Sequence, residues 1–349
     1  MLSKRLHWIL TLLLGIVFGS SIAWGGPPVE PPGLARAIEV QERHTDVLML
    51  QEGVVGTAVG LRGDGVPVIK ILVESPAVGG LPERLDGVPV AMMVTGKIYS
   101  RHHRPGHNRG DGGADSEDGA VDPTVRFPRP VPIGVTTGHP AITAGTIGAR
   151  VISGTNIYAL SNNHVYADEN LASLGDEVIQ PGAFDGGKLL PPEDTDYIGD
   201  LAAFVTIEFS TSAINRVDAA IASTTTELLG NATPSDGYGT PQSMTIAPSI
   251  NMRVMKYGRT TGLTKGRISA INATVNVGYS TGVARFIDQI VVSGGGFSAG
   301  GDSGSLVVVE KGTNMRKPVG LLFAGSSSVT IANPIGAVLG AFNVSIDGD

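Results

Sequence analysis

The sequence predicts a mainly β protein, an all-β sandwich or barrel preceded by a small α/β module. From residue 127 to the end, short β-prone runs alternate with Gly, Pro, Asn and Ser turns, and no long amphipathic helix interrupts them. Glycine (49) and proline (22) are abundant and charged residues make up only 16% of the chain, which fits many strands and tight turns. Ahead of this region, 34–50 carries apolar residues at helical spacing, and 54–61 and 66–73 are β-branched runs. A chain of 349 residues is long enough for about two domains and a sizeable core.

Taken in order, Lys4, Arg5 and His7 precede an apolar run over 8–18 and then Ser21-Ile22-Ala23. A basic start, a short apolar stretch and an S-x-A site read as a secretory signal over 1–24 and an exported protein, periplasmic or extracellular. The run is shorter than the ~20 residues of a membrane span, so a membrane enters only if the segment is retained as an anchor. A Pro/Gly tether follows at 25–33. The module over 25–100 reads as a helix (34–50), two strands joined by Arg62-Gly63-Asp64-Gly65, a short helix around Pro82, Glu83 and Leu85, and a strand over 88–94. Its Asp-Gly is a hairpin signal. Nothing in it looks catalytic; it reads as a packing or interaction module, or as a propeptide or regulator covering a downstream site. It is expected to be separable from the rest of the chain.

Residues 101–125 hold hardly any large apolar side chain and read as a disordered linker. His102, His103 and His107 within it are a weak ligand set without an ordered surround, and no metal is assigned. Arg62-Gly63-Asp64 and Arg109-Gly110-Asp111 are three-letter matches of the kind chance produces. Net charge of −7 gives no basic field for nucleic acid, and the absence of cysteine excludes disulfides and thiolate chemistry. Beyond the linker, strands are expected at 145–152, 157–160, 201–209, 217–222, 252–257, 267–277, 286–292, 306–309 and 319–324. Pro334 opens a short closing helix over 334–342.

Chemistry concentrates at Gly300-Gly301-Asp302-Ser303-Gly304-Ser305, just before an apolar strand. Glycines let the backbone turn tightly and aim its N–H groups at one point, as an oxyanion site needs. A serine there is a nucleophile only beside a base; alone, the stretch is equally an ordinary turn. Upstream, Ala159-Leu160-Ser161-Asn162-Asn163-His164-Val165 sets a histidine at the end of a β-like run. Arg216-Val217-Asp218-Ala219-Ala220-Ile221-Ala222 embeds an acid in a small apolar strand, costly unless hydrogen-bonded. Asp218 reads as a strand-end cap or as the acid that orients a histidine. Asp196 and Asp200, in a polar, proline-containing loop, read as solvated. Asp185-Gly186-Gly187 is a weak calcium-loop signal.

In this order, His164, Asp218 and Ser303 resemble the triad of the chymotrypsin-fold (trypsin-like) serine peptidases. Gly301-Asp302-Ser303-Gly304 matches the family's nucleophile motif at every position, and Ser161-Asn162-Asn163-His164-Val165 is similar to bacterial versions of its histidine motif. The resemblance covers about 127–349; more weakly, module and peptidase together look like bacterial relatives of the plant narrow-leaf proteins. It implies two six-stranded antiparallel β-barrels over 126–349 and a serine endopeptidase acting on proteins or peptides without a cofactor. Ser303 would be acylated, His164 would act as general base, Asp218 would orient it, and the N–H groups of Gly301 and Ser303 would form the oxyanion hole. Phe297, six before the nucleophile, and Phe323, Ala324 and Gly325 would bind substrate, Phe297 arguing against an acidic pocket. The alternative is a binding or scaffold protein of the same fold that hydrolyses little. One departure stands out: no Ile-Val-Gly-Gly follows an arginine, so a buried Asp302 needs another partner, with Arg259 and Arg267 as candidates. Oligomeric state leaves no signal in the sequence.

Overall fold

The computed structural model describes residues 30–100, 119–189, 196–294 and 296–349. The signal segment, the histidines at 102–107 and the second Arg-Gly-Asp lie outside the described residues. Helix α1 (Leu34–Leu48) buries Leu34, Ala37, Val40 and Leu48 along one face. Its other face carries ion pairs from Arg36 and Arg43 to Glu39. Strands β1 (Val54–Leu61) and β2 (Pro67–Val73) form the expected hairpin, closed by Arg62 N–H to the Val66 carbonyl and Gly65 N–H to that of Arg62. Arg62 and Asp64 of the first Arg-Gly-Asp pair with each other. The segment expected to be a short helix is instead β3 (Arg84–Leu85), antiparallel to β4 (Val88–Val94). Asp86 (φ 44°) and Gly87 (φ 84°) both sit at positive φ, the requirement of a two-residue hairpin turn, and that turn reverses the chain before a helix can start.

Two rings of strands follow. The first comprises β6 (Thr136–Thr137), β7 (Gly145–Thr146), β8 (Ala149–Ser153), β9 (Asn156–Ser161), β10 (Glu177–Ile179), β11 (Tyr197–Phe204) and β12 (Ala220–Thr224), with β7 and β8 the two halves of one bent strand. Pairing runs β10-β11-β12-β9-β8, β6 pairs with β7, and a bridge from Gly138 to Ile179 brings the end of β6 back to β10. Ile147, Ala159, Val165, Ile198, Leu201 and Ala222 fill its centre. The four-residue helix α2 (Asn163–Tyr166) leaves the end of β9.

The second ring is β13 (Arg253–Gly258), β14 (Gly262–Gly278), β15 (Val283–Ser293), β16 (Leu306–Val309), β17 (Pro318–Gly325) and β18 (Val329–Pro334). Its antiparallel pairings run β13-β16-β17-β18-β15-β14 and return to β13. The mainly β architecture expected is present, and the second set of six strands closes on itself through the β13–β14 pairing. After Pro334, α3 (Ile335–Phe342) forms as anticipated, and β19 (Ser345–Ile346) adds to β8. Asp196 departs from expectation: it is 2% exposed and pairs with Arg126, which offsets part of the cost of burying its charge.

The N-terminal module is not set apart from this body. The edge of β14 pairs in succession with β13, with β1 over Ala270–Val275, and with β5 (Ile98–Ser100) at Val277 and Gly278. Val55, Ala58, Leu72 and Ile98 share one core with Ala270, Ala273, Phe286 and Phe323. Gln41 of α1 is fully buried, donates to Thr57 at 2.7 Å and accepts from Asn272 of β14 at 2.8 Å. A fully buried Val, Leu or Ile contributes roughly 1.5–3 kcal/mol, while whole domains are stable by about 5–15 kcal/mol. Deleting 30–100 is therefore expected to leave the remainder insoluble or without a cooperative melt, contrary to the separability suggested by the sequence; calorimetry of the truncated chain checks it.

Candidate active site

Strand β9 ends at Ser161, and the polar Asn162-Asn163 pair turns the chain into α2, so His164 projects from a strand end. Asp218 lies two residues before β12, the strand paired with β9. Register therefore brings the two side chains together: His164 Nδ1 is 2.5 Å from Asp218 Oδ2, both side chains being fully buried. A carboxylate only accepts, so Nδ1 carries the proton and the tautomer leaves Nε2 as the basic nitrogen. The Asp218 backbone is fixed on both sides, its N–H donating to Asn333 Oδ1 at 3.1 Å and its carbonyl accepting from Asn162 Nδ2 at 2.7 Å.

Ser303 stands in the turn that enters β16, 1% exposed, its Oγ donating to the Phe323 carbonyl at 3.4 Å. The first ring grips this turn through Thr146. The Thr146 N–H donates to the Ser303 carbonyl at 2.7 Å and its hydroxyl to the Gly301 carbonyl at 2.9 Å. Its carbonyl accepts from Ser161, three residues before His164, at 2.8 Å. Gly301 (φ 97°) and Gly304 (φ 94°) hold left-handed conformations, and a Cβ on Gly304 would come within 2.2 Å of the Thr146 carbonyl oxygen. Among the described residues, no backbone carbonyl accepts the N–H of Gly301 or Ser303.

Asp302 is fully buried, and its partner is neither Arg259 nor Arg267. Arg259 pairs with Asp185, the carboxylate of the weak calcium signal, and Arg267 donates to the Asn251 carbonyl. The cation is Lys256, its Nζ 3.5 Å from Asp302 Oδ2 with both side chains fully buried. Four further donors converge on the carboxylate: the N–H groups of Thr260 (2.9 Å), Thr261 (3.2 Å) and Ala299 (2.8 Å), and the Thr261 hydroxyl (2.8 Å). Burial lowers the Lys256 pKa and the Asp302 charge opposes that.

Residues 217–333 match the family model for the Nal1 C-terminal domain. That span includes Asp218 and Ser303 and ends on Asn333, which accepts from the Asp218 N–H; His164 precedes it. No match is found among curated proteins. Similar solved structures include Thermobifida fusca protease A (17% identity over 63% of this chain and 100% of that one, TM-score 0.45). The Nocardiopsis protease (18%, 62% and 99%, TM-score 0.43) and Cellulomonas bogoriensis chymotrypsin (19%, 63% and 99%, TM-score 0.42) are others.

Of the residues expected to bind substrate, Phe297 is 2% exposed and packs in the second ring's core with Val254, Ile268 and Val292. The Phe323 ring is likewise in a core, 4.8 Å from Phe286 between centroids, so this residue meets Ser303 through its carbonyl alone. Ala324 and Gly325 pair with Ser100 and Tyr99 of β5.

Two residues at the site escaped sequence reading. Tyr279, at the tip of the β14–β15 hairpin, donates its hydroxyl to Asp218 Oδ2 at 2.8 Å and sets its ring edge-on to His164 at 5.9 Å. Glu169, in a left-handed conformation just after α2, accepts from the N–H groups of Ser280 and Thr281 and so pins that tip. Desolvation, and then the Asp218 charge, hold the Tyr279 phenol well above its ordinary value of 10.0. Burial also raises Tyr166, Tyr238 and Tyr257, and pushes Tyr197 up to about 12. Below pH 10 these phenols are protonated folded and unfolded, and their contribution is complete. Above it the unfolded chain ionises first, so stability falls as pH rises towards the folded values. The urea midpoint is expected to drop steeply above pH 10, and less steeply in Tyr279→Phe.

Proposed function

We propose that this protein is an exported serine endopeptidase that cleaves peptide bonds through an acyl-enzyme on Ser303. The observation that carries the reading is the buried His164–Asp218 contact of 2.5 Å, with the Ser303 turn bonded to Thr146 and Thr146 in turn to Ser161, three residues before His164. In this mechanism His164 Nε2 takes the Ser303 proton as Oγ attacks the scissile carbonyl, and Asp218 stabilises the imidazolium through Nδ1–H. The Gly301 and Ser303 N–H groups receive the oxyanion. Collapse returns the proton to the leaving amine; water then hydrolyses the acyl-enzyme by the same relay. An extended peptide would reach Ser303 by adding a strand to the β17 edge at Phe323–Gly325, which needs backbone more than side chain and is consistent with the inward-facing Phe323. Export rests on the basic-apolar-small pattern over 1–24. The test is hydrolysis of a casein-type substrate: Ser303→Ala is expected to lower kcat by about 10⁴-fold or more with an unchanged melting temperature. A folded Ser303→Ala variant as active as the parent would end the proposal.

A further inference from the structure

One edge of β17 changes partner along its length. It pairs with β16 over Pro318–Leu321. At Leu322 it meets the nucleophile turn, with Gly304 N–H donating to the Leu322 carbonyl and Leu322 N–H to that of Ser305. At Phe323 its carbonyl accepts the Ser303 hydroxyl. Beyond that point β18 holds only the opposite edge, at Ala324 and Gly325. The near edge is not open there: Ser100 lies opposite Ala324 and Tyr99 opposite Gly325, antiparallel.

The direction of β5 matters. Running from Gly325 towards Phe323, it advances on Ser303 with its carboxyl end leading. A peptide cleaved by Ser303 has to lie the same way, because the residues before its scissile carbonyl approach the serine with that polarity. The strand is built in rather than loosely laid: Ile98 is 2% exposed in the shared core, Val277 and Gly278 pair on its other side, and the Tyr99 ring occupies the space a side chain at Gly278 would need. His164 and Ser303 are 0% and 1% exposed.

We propose that β5 is the resident occupant of the peptide-binding edge, so that an extended protein or peptide substrate is admitted only when Tyr99 and Ser100 leave Gly325 and Ala324. This rests on the peptidase reading of Ser303. The chain then exists as a closed majority and an open minority, and apparent affinity for extended peptides is reduced by the open fraction. A small electrophile needs no strand pairing, so the local opening that brings it to the 1% exposed Ser303 does not require Tyr99 and Ser100 to leave.

The cysteine-free chain allows a direct test. Directly opposed residues on antiparallel strands lie within disulfide reach, so the full-length double variant Ser100→Cys, Ala324→Cys can be locked by oxidation and released by reductant. A casein-type peptide and a small fluorophosphonate are offered to both forms. Because Ala324 lies on the peptide-binding edge, the reduced double variant, whatever its own level of cleavage, is the reference. The expected result is a loss of peptide cleavage on oxidation and a return to that reduced level on reduction, with fluorophosphonate labelling of Ser303 at the same rate in both. Separately, Ser100→Pro, which weakens strand pairing at that position, is expected to raise kcat/KM for the peptide by about ten-fold at an unchanged labelling rate. Peptide cleavage indifferent to the lock, with labelling intact, would overturn the proposal. So would a fall in peptide cleavage in folded Ser100→Pro, which would make β5 a supporting strand. If neither form takes up the probe, the peptidase reading itself fails and this inference falls with it.

Discussion

Asp218→Asn is expected to lower kcat by about 10⁴-fold while the protein keeps its fold. The Nδ1 proton of His164 is directed by a carboxylate that only accepts, 2.5 Å away and fully buried. An amide in its place can present N–H to the imidazole. The tautomer then reverses, Nε2 carries the proton, and it no longer accepts one from Ser303. With the amide nitrogen in the place of Oδ2, the His164 N–H keeps Oδ1 as its acceptor, while the Tyr279 hydroxyl, which donated to Oδ2, has to turn and accept from the amide, so a small loss of stability is expected. Steady-state kinetics and a melting curve on the same preparation check this. A loss confined to KM would mean that His164 is not the base.

Lys256→Met is expected to have the second largest effect, acting first on stability. It removes the cation 3.5 Å from Asp302 and leaves a fully buried carboxylate without a counter-charge, at a cost of about 3–5 kcal/mol. The donors from Thr260, Thr261 and Ala299 hold part of that charge. Asp302 lies between the two residues whose N–H groups are proposed to receive the oxyanion, so any shift of its carboxylate moves both donors. Loss of one such donor typically lowers kcat by about 10² to 10³-fold. Adding Asp302→Asn to Lys256→Met removes the stranded charge and is expected to recover much of the melting temperature without the activity. Melting curves and kcat for the two variants decide it; a Lys256→Met protein as stable as the parent would show that the hydrogen bonds alone hold the turn.

Lys256 illustrates what the sequence could and could not convey. It sits in an apolar strand run, where every residue from Val254 to Gly258 is buried, and a lysine in such a run signals a buried partner. Arg259 and Arg267 nonetheless look as plausible in one dimension, because the choice depends on which side chain the β13–β14 hairpin turns inward. The nucleophile motif, the histidine turn and the embedded acid were legible because each couples a local backbone requirement to a chemical group. Tyr279 and Glu169 were not: one stands at a hairpin tip, the other in a loop, and their meeting with the site is set by the 17-residue length of β14. The same long strand explains why the N-terminal module looked independent. Its elements were readable one by one, apart from the Asp86-Gly87 turn. Sheet partners about 200 residues apart, such as Gly56 and Val275, leave no trace in local periodicity.

That Ser303 is a nucleophile activated by His164 and Asp218 is tested most directly by mass-spectrometric mapping of a fluorophosphonate adduct on the native protein. A single phosphonylated residue, Ser303, is expected, with labelling at least about 10³-fold slower in folded His164→Ala, since the serine is then without its base. An unmodified Ser303 in the folded protein, or labelling unaffected by His164→Ala, would contradict it.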